Sequence, residues 1–195
     1  AFGNHEADIL VGTQMIAKGL DYPDVTLVGI VNGDEGLNRT DYRSCEVTFD
    51  LLMQAAGRSG RSEDRGEVIL QVNDPMHYAV RCAAANDYDS FFTQEMAYRH
   101  TVNAPPYTYL ISITVSAYSQ EKCNTIAGKM HDGIKGNFIT GGVIELLRKK
   151  DLYRSRILLK GKDLKQMRQA VSDWLDSQKN KPEGVRIDVN PLVLD

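Results

Sequence analysis

The sequence has 195 residues, 42% of them hydrophobic, and a formal net charge of −3, an ordinary globular balance that can fill two modest cores. No apolar run approaches the ~20 residues needed to cross a bilayer, and no basic-then-apolar segment opens the chain. Cys45, Cys82 and Cys123 form no CxxC pair and the four histidines lack ligand spacing, which argues against a structural zinc or a disulfide framework and fits a reducing cytoplasm.

The chain begins Ala-Phe-Gly-Asn-His, which reads as the start of an excised piece. Its charge is uneven. Residues 1–100 hold 8 Lys+Arg against 16 Asp+Glu, and residues 101–195 hold 15 against 10. Such a contrast predicts two units with different partners, the second able to touch nucleic acid.

Ala7-Asp8-Ile9-Leu10-Val11-Gly12 is a short apolar run ending at a glycine and predicts a buried strand. The loop after it, Gly12 to Asp24, superficially resembles a phosphate-cradling loop. Ala17 and Gly19 flank Lys18, where that motif needs Gly before the lysine and Ser or Thr after it, so it is not one. The loop still follows the carboxyl end of a strand, where open α/β sheets place ligands. Thr13 and Gln14 offer polar atoms, Lys18 a cation and Asp21 an acceptor suited to a ribose hydroxyl. An ordinary βα loop explains the same residues.

A second strand is predicted over Val25–Val31. Ser44–Gly57 predicts a helix with Val47, Leu51, Leu52 and Ala55 on one face, capped by Ser44 or Asp41. A third strand follows at Glu67–Val72. These elements predict a parallel α/β sheet. Asp34-Glu35 reads as a polar strand end rather than a magnesium site.

Between helix and third strand lies Gln54-Ala55-Ala56-Gly57-Arg58-Ser59-Gly60-Arg61. Arginine keeps its charge in a protein and its planar fork fits phosphate oxygens. Two forks three residues apart, each after a glycine, suit a triphosphate presented by another domain. Two solvated arginines at a helix end are the plain alternative.

Helices are predicted at Tyr78–Ala85 and Tyr88–Thr101, and Asn103-Ala104-Pro105-Pro106 stops the second. The domain boundary is placed there, giving 1–101 and 102–195. Tyr109–Ser116 alternates like a half-buried strand. Ser119 caps a helix whose face is Cys123, Ile126, Ala127, Met130 and Ile134. Val143–Leu147 and Ile157–Leu159 read as a hairpin turning near Asp151–Tyr153. Leu164, Met167, Val171, Trp174 and Leu175 mark a helix capped by Asp163, and Val185–Val189 a last strand. The order β-α-β-β-α-β predicts an α+β ferredoxin-like domain. Arg148, Lys149, Lys150, Arg154, Arg156, Lys160 and Lys162 cluster on the hairpin. They form either a solvated rim or a surface for DNA backbone, which gives salt-sensitive affinity without base preference.

Thr13-Gln14…Lys18-Gly19-x-Asp21-x-Pro23, followed by Gln54-x-x-Gly57-Arg58-x-Gly60-Arg61, resembles motifs V and VI of superfamily 2 helicases, which lie in the second RecA-like lobe. The stretches 7–19, Tyr22–Val28 and Asp41-Tyr42-Arg43-Ser44 are similar to the primosomal replication-restart helicases, the PriA (primosomal protein N′) family. So are Glu95-Met96-x-x-Arg99, Pro105-Pro106-Tyr107, Tyr153-Arg154 and Ile187–Pro191. The resemblance covers essentially the whole chain. It implies part of a RecA-like helicase lobe followed by the family's C-terminal domain.

The resemblance also implies roles. Arg58 and Arg61 would reach the γ-phosphate of ATP held, with Mg²⁺, mainly by a first lobe, with Gln54 beside it. Gly19, Asp21 and Gly57 would line the nucleotide, and Thr13, Gln14 and Lys18 would meet the backbone of the tracked DNA strand or link it to the ATP site. The family's C-terminal domain helps bind fork DNA, which agrees with the DNA-backbone reading of Arg148, Lys149, Arg154 and Arg156 above. The family is a 3′→5′ DNA helicase that unwinds stalled forks and restarts replication. Its partners are branched and single-stranded DNA, the single-strand-binding protein and primosome loading proteins. Its zinc sits in a cysteine-rich insertion for which these residues have no counterpart. Other superfamily 2 translocases, or a non-catalytic DNA- or protein-binding adaptor, stay open.

Overall fold

The computed structural model describes residues 2–13, 25–39, 41–57, 66–180 and 182–194. The chain divides into two compact units, Ala1–Tyr98 and Arg99–Asp195.

In the first unit, β1 (Leu27–Ile30) and β2 (Glu67–Leu70) pair in parallel, Val28 opposite Val68 and Ile30 opposite Leu70. The helix α1 (Ser44–Ala56) joins them. It buries Thr48, Phe49, Leu52 and Ala55, a stripe at helical spacing, while Val47 from the predicted face is half exposed. Two helices follow, α2 (Tyr78–Ala84) and the longer α3 (Tyr88–Thr101). Phe49 of α1 stacks on Phe91 of α3 with ring centroids 4.0 Å apart, and Ala79, Val80, Cys82 and Ala83 of α2 complete this core.

Two local expectations differ here. Ala7–Gly12 forms no strand, and Ile9 and Val11 stand exposed. A strand needs a neighbour for its N–H and C=O groups, and no described strand pairs with this run. At the start of α1, neither Asp41 nor Ser44 caps the helix in the usual sense. Asp41 Oδ1 accepts from the Arg43 N–H, and the Ser44 hydroxyl donates back to the carbonyls of Asp41 (2.6 Å) and Arg39 (3.0 Å). The serine therefore holds the entry loop, because its oxygen is used as a donor.

In the second unit, β3 (Tyr109–Ala117) leads to α4 (Gln120–Gly133), then β4 (Ile139–Thr140), β5 (Ile144–Lys149), β6 (Leu152–Gly161), α5 (Leu164–Ser177) and β7 (Val185–Val189). The sheet is antiparallel. β3 lies between β6 and β7, and both β4 and β5 pair with the far edge of β6. Ile113 faces Ile157 on one side and Ile187 on the other. With Ile111, Val115 and Leu159 these side chains form the core with Cys123, Ala127 and Met130 of α4 and Met167 and Val171 of α5. Both helices thus cover the odd-numbered face of β3 and β6. Ser119 caps α4 by accepting from Lys122 N–H, and Asp163 caps α5 by accepting from Gln166 N–H at 2.9 Å. Gly133 ends α4 under Trp174; a Cβ there would lie 2.1 Å from the indole nitrogen, so only glycine lets the two helices meet.

β6 runs five residues further toward its start than the predicted Ile157–Leu159 core. Arg154 and Arg156 made that part look polar, yet they are the intervening positions of one alternating strand. β4 was not expected at all, since two residues carry no period.

Candidate nucleic-acid interface

At the exit of α1, Gln54 and Gly57 are exposed. The Gly57 N–H donates to Met53 O at 3.0 Å, closing the last turn. This end of the helix is fixed from behind by Leu52 and Phe49 in the core. Thr13 is also exposed, in irregular chain. Gln14, Lys18, Gly19, Asp21, Arg58 and Arg61 lie outside the described residues.

Asp34 is buried and serves as a clasp. Its Oδ2 accepts from the N–H of Asn73 (2.7 Å) and of Asp74 (2.9 Å), and its Oδ1 from the Asn73 amide (3.2 Å). The Asp74 N–H, with those of Asn73, holds this carboxyl below the usual carboxylate range despite the opposing effect of burial. Both of its oxygens accept from the loop after β2. Among the described residues no three His, Cys, Asp or Glu side chains gather as a metal would require, and the three cysteines are free.

Behind α1, Tyr78 donates its hydroxyl to the buried Glu95. Burial, with Cys45 and Glu95 adjoining, pushes the phenol well above its ordinary range, so it stays a donor at any physiological pH. This bond ties α2 to α3.

The basic cluster of the second unit is sorted by the hairpin β5–β6. Lys149 pairs with Leu152, leaving Lys150 and Asp151 as a two-residue turn with φ of 50° and 63°. Positive φ at both positions is the geometry that matches strand twist in tight hairpins. Between Leu146 and Lys149 the register slips by one residue, a bulge that re-aims the side chains beside it. Just past the slip, the Arg148 guanidinium lies 4.5 Å from the centre of the Tyr153 ring and donates to Asp151 O at 3.1 Å. Lys149 and Lys150 are exposed beside it, and Leu147 is 89% exposed.

Arg154 and Arg156 share one side of β6, opposite Leu146 and Ile144 respectively. Arg154 is half-buried, whereas Arg156 is only 7% exposed. Lys160 spends its ammonium on the carbonyl of Val102 at 3.0 Å. The structure therefore gathers Arg148, Lys149, Lys150 and Arg154 at one end of the hairpin. It sets Arg156 apart by burial and Lys160 by that bond. Sequence reasoning missed Leu147 and Tyr153. The bulge beside them has no residue signature.

Residues 1–63 match the family described as "Helicase conserved C-terminal domain", and residues 100–192 the one described as "Primosomal protein N C-terminal domain". The chain is 40% identical to "Replication restart protein PriA" of Bacillus subtilis over 204 aligned residues, which take in all of this chain and 25% of that protein. It is 36% identical to the protein of the same name from Treponema pallidum, covering 95% of this chain and 29% of the relative. With that from Haemophilus influenzae it shares 32% identity, over 95% of this chain and 27% of the relative. The chain thus spans about a quarter of the length of the curated relatives it matches. Two domain matches in the order helicase then primosomal, with relatives of one name along the whole chain, place it in the PriA family, as its C-terminal region.

Proposed function

We propose that this chain serves in an ATP-dependent 3′→5′ DNA helicase that recognises stalled replication forks in the cytoplasm and restarts replication by primosome assembly. The observation that carries this reading is the joined match: a helicase segment and a primosomal domain in one chain. The fold is read as part of a RecA-like lobe followed by a ferredoxin-like domain, with the boundary near residue 102. The strand order β7-β3-β6-β5 supports the second half of that reading.

In this mechanism the chain supplies one wall of a nucleotide site. ATP with Mg²⁺ contributes the phosphoryl group whose transfer to water drives movement. Arg58 and Arg61 neutralise charge that develops on that group, a role worth about 10³–10⁵ in rate in related enzymes. Gln54 fits the same wall, exposed on a helix end held firmly by its core face. Gly19, Asp21 and Gly57 line the nucleotide, and Thr13, Gln14 and Lys18 follow the phosphates of the tracked strand. Zinc, a property of the wider family, finds no gathered ligands among the described residues. Arg148, Lys149 and Arg154 contact fork DNA through its backbone. Branched and single-stranded DNA, single-strand-binding protein and primosome loading proteins are the proposed partners.

The test is Arg58→Ala and Arg61→Ala in the intact helicase. DNA-stimulated ATP turnover should fall at least 10³-fold in each, while fork binding by fluorescence anisotropy stays within about twofold. Turnover that survives both changes would overturn the assignment.

A further inference from the structure

The hairpin end carries more than charge. Four cations there explain affinity for a phosphate backbone, and phosphate contacts do not distinguish a branch from a plain duplex. Two other features stand among them. Leu147 is 89% exposed on a strand that buries none of its own side chains against the core. Beside it, the Arg148 guanidinium sits over the Tyr153 ring, 4.5 Å from its centroid, and donates to the turn carbonyl of Asp151, yet its side chain keeps 53% of its accessible surface. A guanidinium backed by an aromatic ring is a planar, low-entropy platform on which an unstacked base can lie. An exposed leucine among cations is the kind of apolar wedge used at disrupted base steps.

We propose that the tip of the β5–β6 hairpin stacks against the base pair left open at a DNA branch point. Leu147 is the wedge and the Arg148–Tyr153 pair the platform. This rests on the reading that the hairpin meets DNA backbone, and deepens it: the cations bring the tip to DNA, and the apolar and planar groups select the branch. A linear duplex offers no open stack in its interior, so it receives only the electrostatic part. The bulge before Lys149 and the two-residue turn present both groups at the hairpin end.

The experiment uses the 195-residue chain, a forked DNA, and a linear duplex with the same number of phosphates. A 2-aminopurine is placed in the base pair at the fork. The chain should bind the fork more tightly than the duplex and change the 2-aminopurine emission. Leu147→Ala and Arg148→Lys should each cut the fork-to-duplex affinity ratio about fivefold or more and suppress the emission change. Duplex affinity should hold in Leu147→Ala, which removes no charge, and the salt slope should hold in both variants, because lysine keeps the charge of Arg148. An unchanged ratio in both variants, or equal wild-type affinity for fork and duplex with a normal salt slope, overturns the stacking assignment alone. If Arg154→Glu also leaves the salt slope for both DNAs unchanged, the backbone reading falls with it.

Discussion

At the scale of single residues, burial separates groups that look alike in a sequence. Arg154 and Arg156 are two positions apart on one strand, and only Arg154 keeps appreciable exposure. A charge reversal at Arg156 would put a carboxylate in a buried place, where it would report on folding. The informative variants for DNA contact are Lys149→Glu and Arg154→Glu. Each should weaken fork binding and lower the slope of log affinity against log salt by about one. A slope that does not move returns these residues to a solvated rim. Asp34 shows a similar division. Its hydrogen bonds lower its pKa in the folded state, so the stability it contributes is full above the ordinary carboxylate value and is lost as pH falls below about 4. Thermal melting between pH 7 and pH 3 should steepen below that point, and Asp34→Asn should both lower the melting temperature at pH 7 and flatten the acid limb. An identical acid limb in the variant would remove Asp34 from that role.

At the scale of elements, the amphipathic helices and the alternating strand at Tyr109 were legible because each has a period that one buried face imposes. Ser119 and Asp163 were legible as caps for the same local reason: their partners lie three residues away. What escaped depends on pairing. Ala7–Gly12 has the composition of a strand but no partner among the described strands, β4 is a strand only because β6 is beside it, and the bulge in β5 exists only in register with β6. The Lys150-Asp151 turn is another such case. Both residues hold positive φ, which costs an L residue about 1–2 kcal/mol. Lys150→Asn with Asp151→Gly should therefore stabilise the hairpin by about 1 kcal/mol, read as a higher denaturant midpoint at unchanged slope. Gly133→Ala should do the opposite, by about 1–3 kcal/mol, because the new methyl meets the Trp174 ring.

At the scale of the whole molecule, chemistry is divided between chains of residues that need one another. The 195 residues contain Arg58 and Arg61, proposed above to meet a triphosphate, and no Walker-type loop to hold one. The purified chain should bind ATP poorly and show no turnover with or without DNA; measurable hydrolysis would mean that a nucleotide site is complete within it. The sequence by itself determined the family, the two-part order and the types of nearly every element, because motif spacing and hydrophobic period are properties of neighbours in the chain. It also determined the candidate arginines, since a guanidinium is charged wherever it lies. Only the tertiary structure decided which cations reach solvent, which strands find partners, and that Arg148 is laid over Tyr153 at a bulged hairpin tip. Those outcomes depend on register and burial, which arise between residues far apart in sequence.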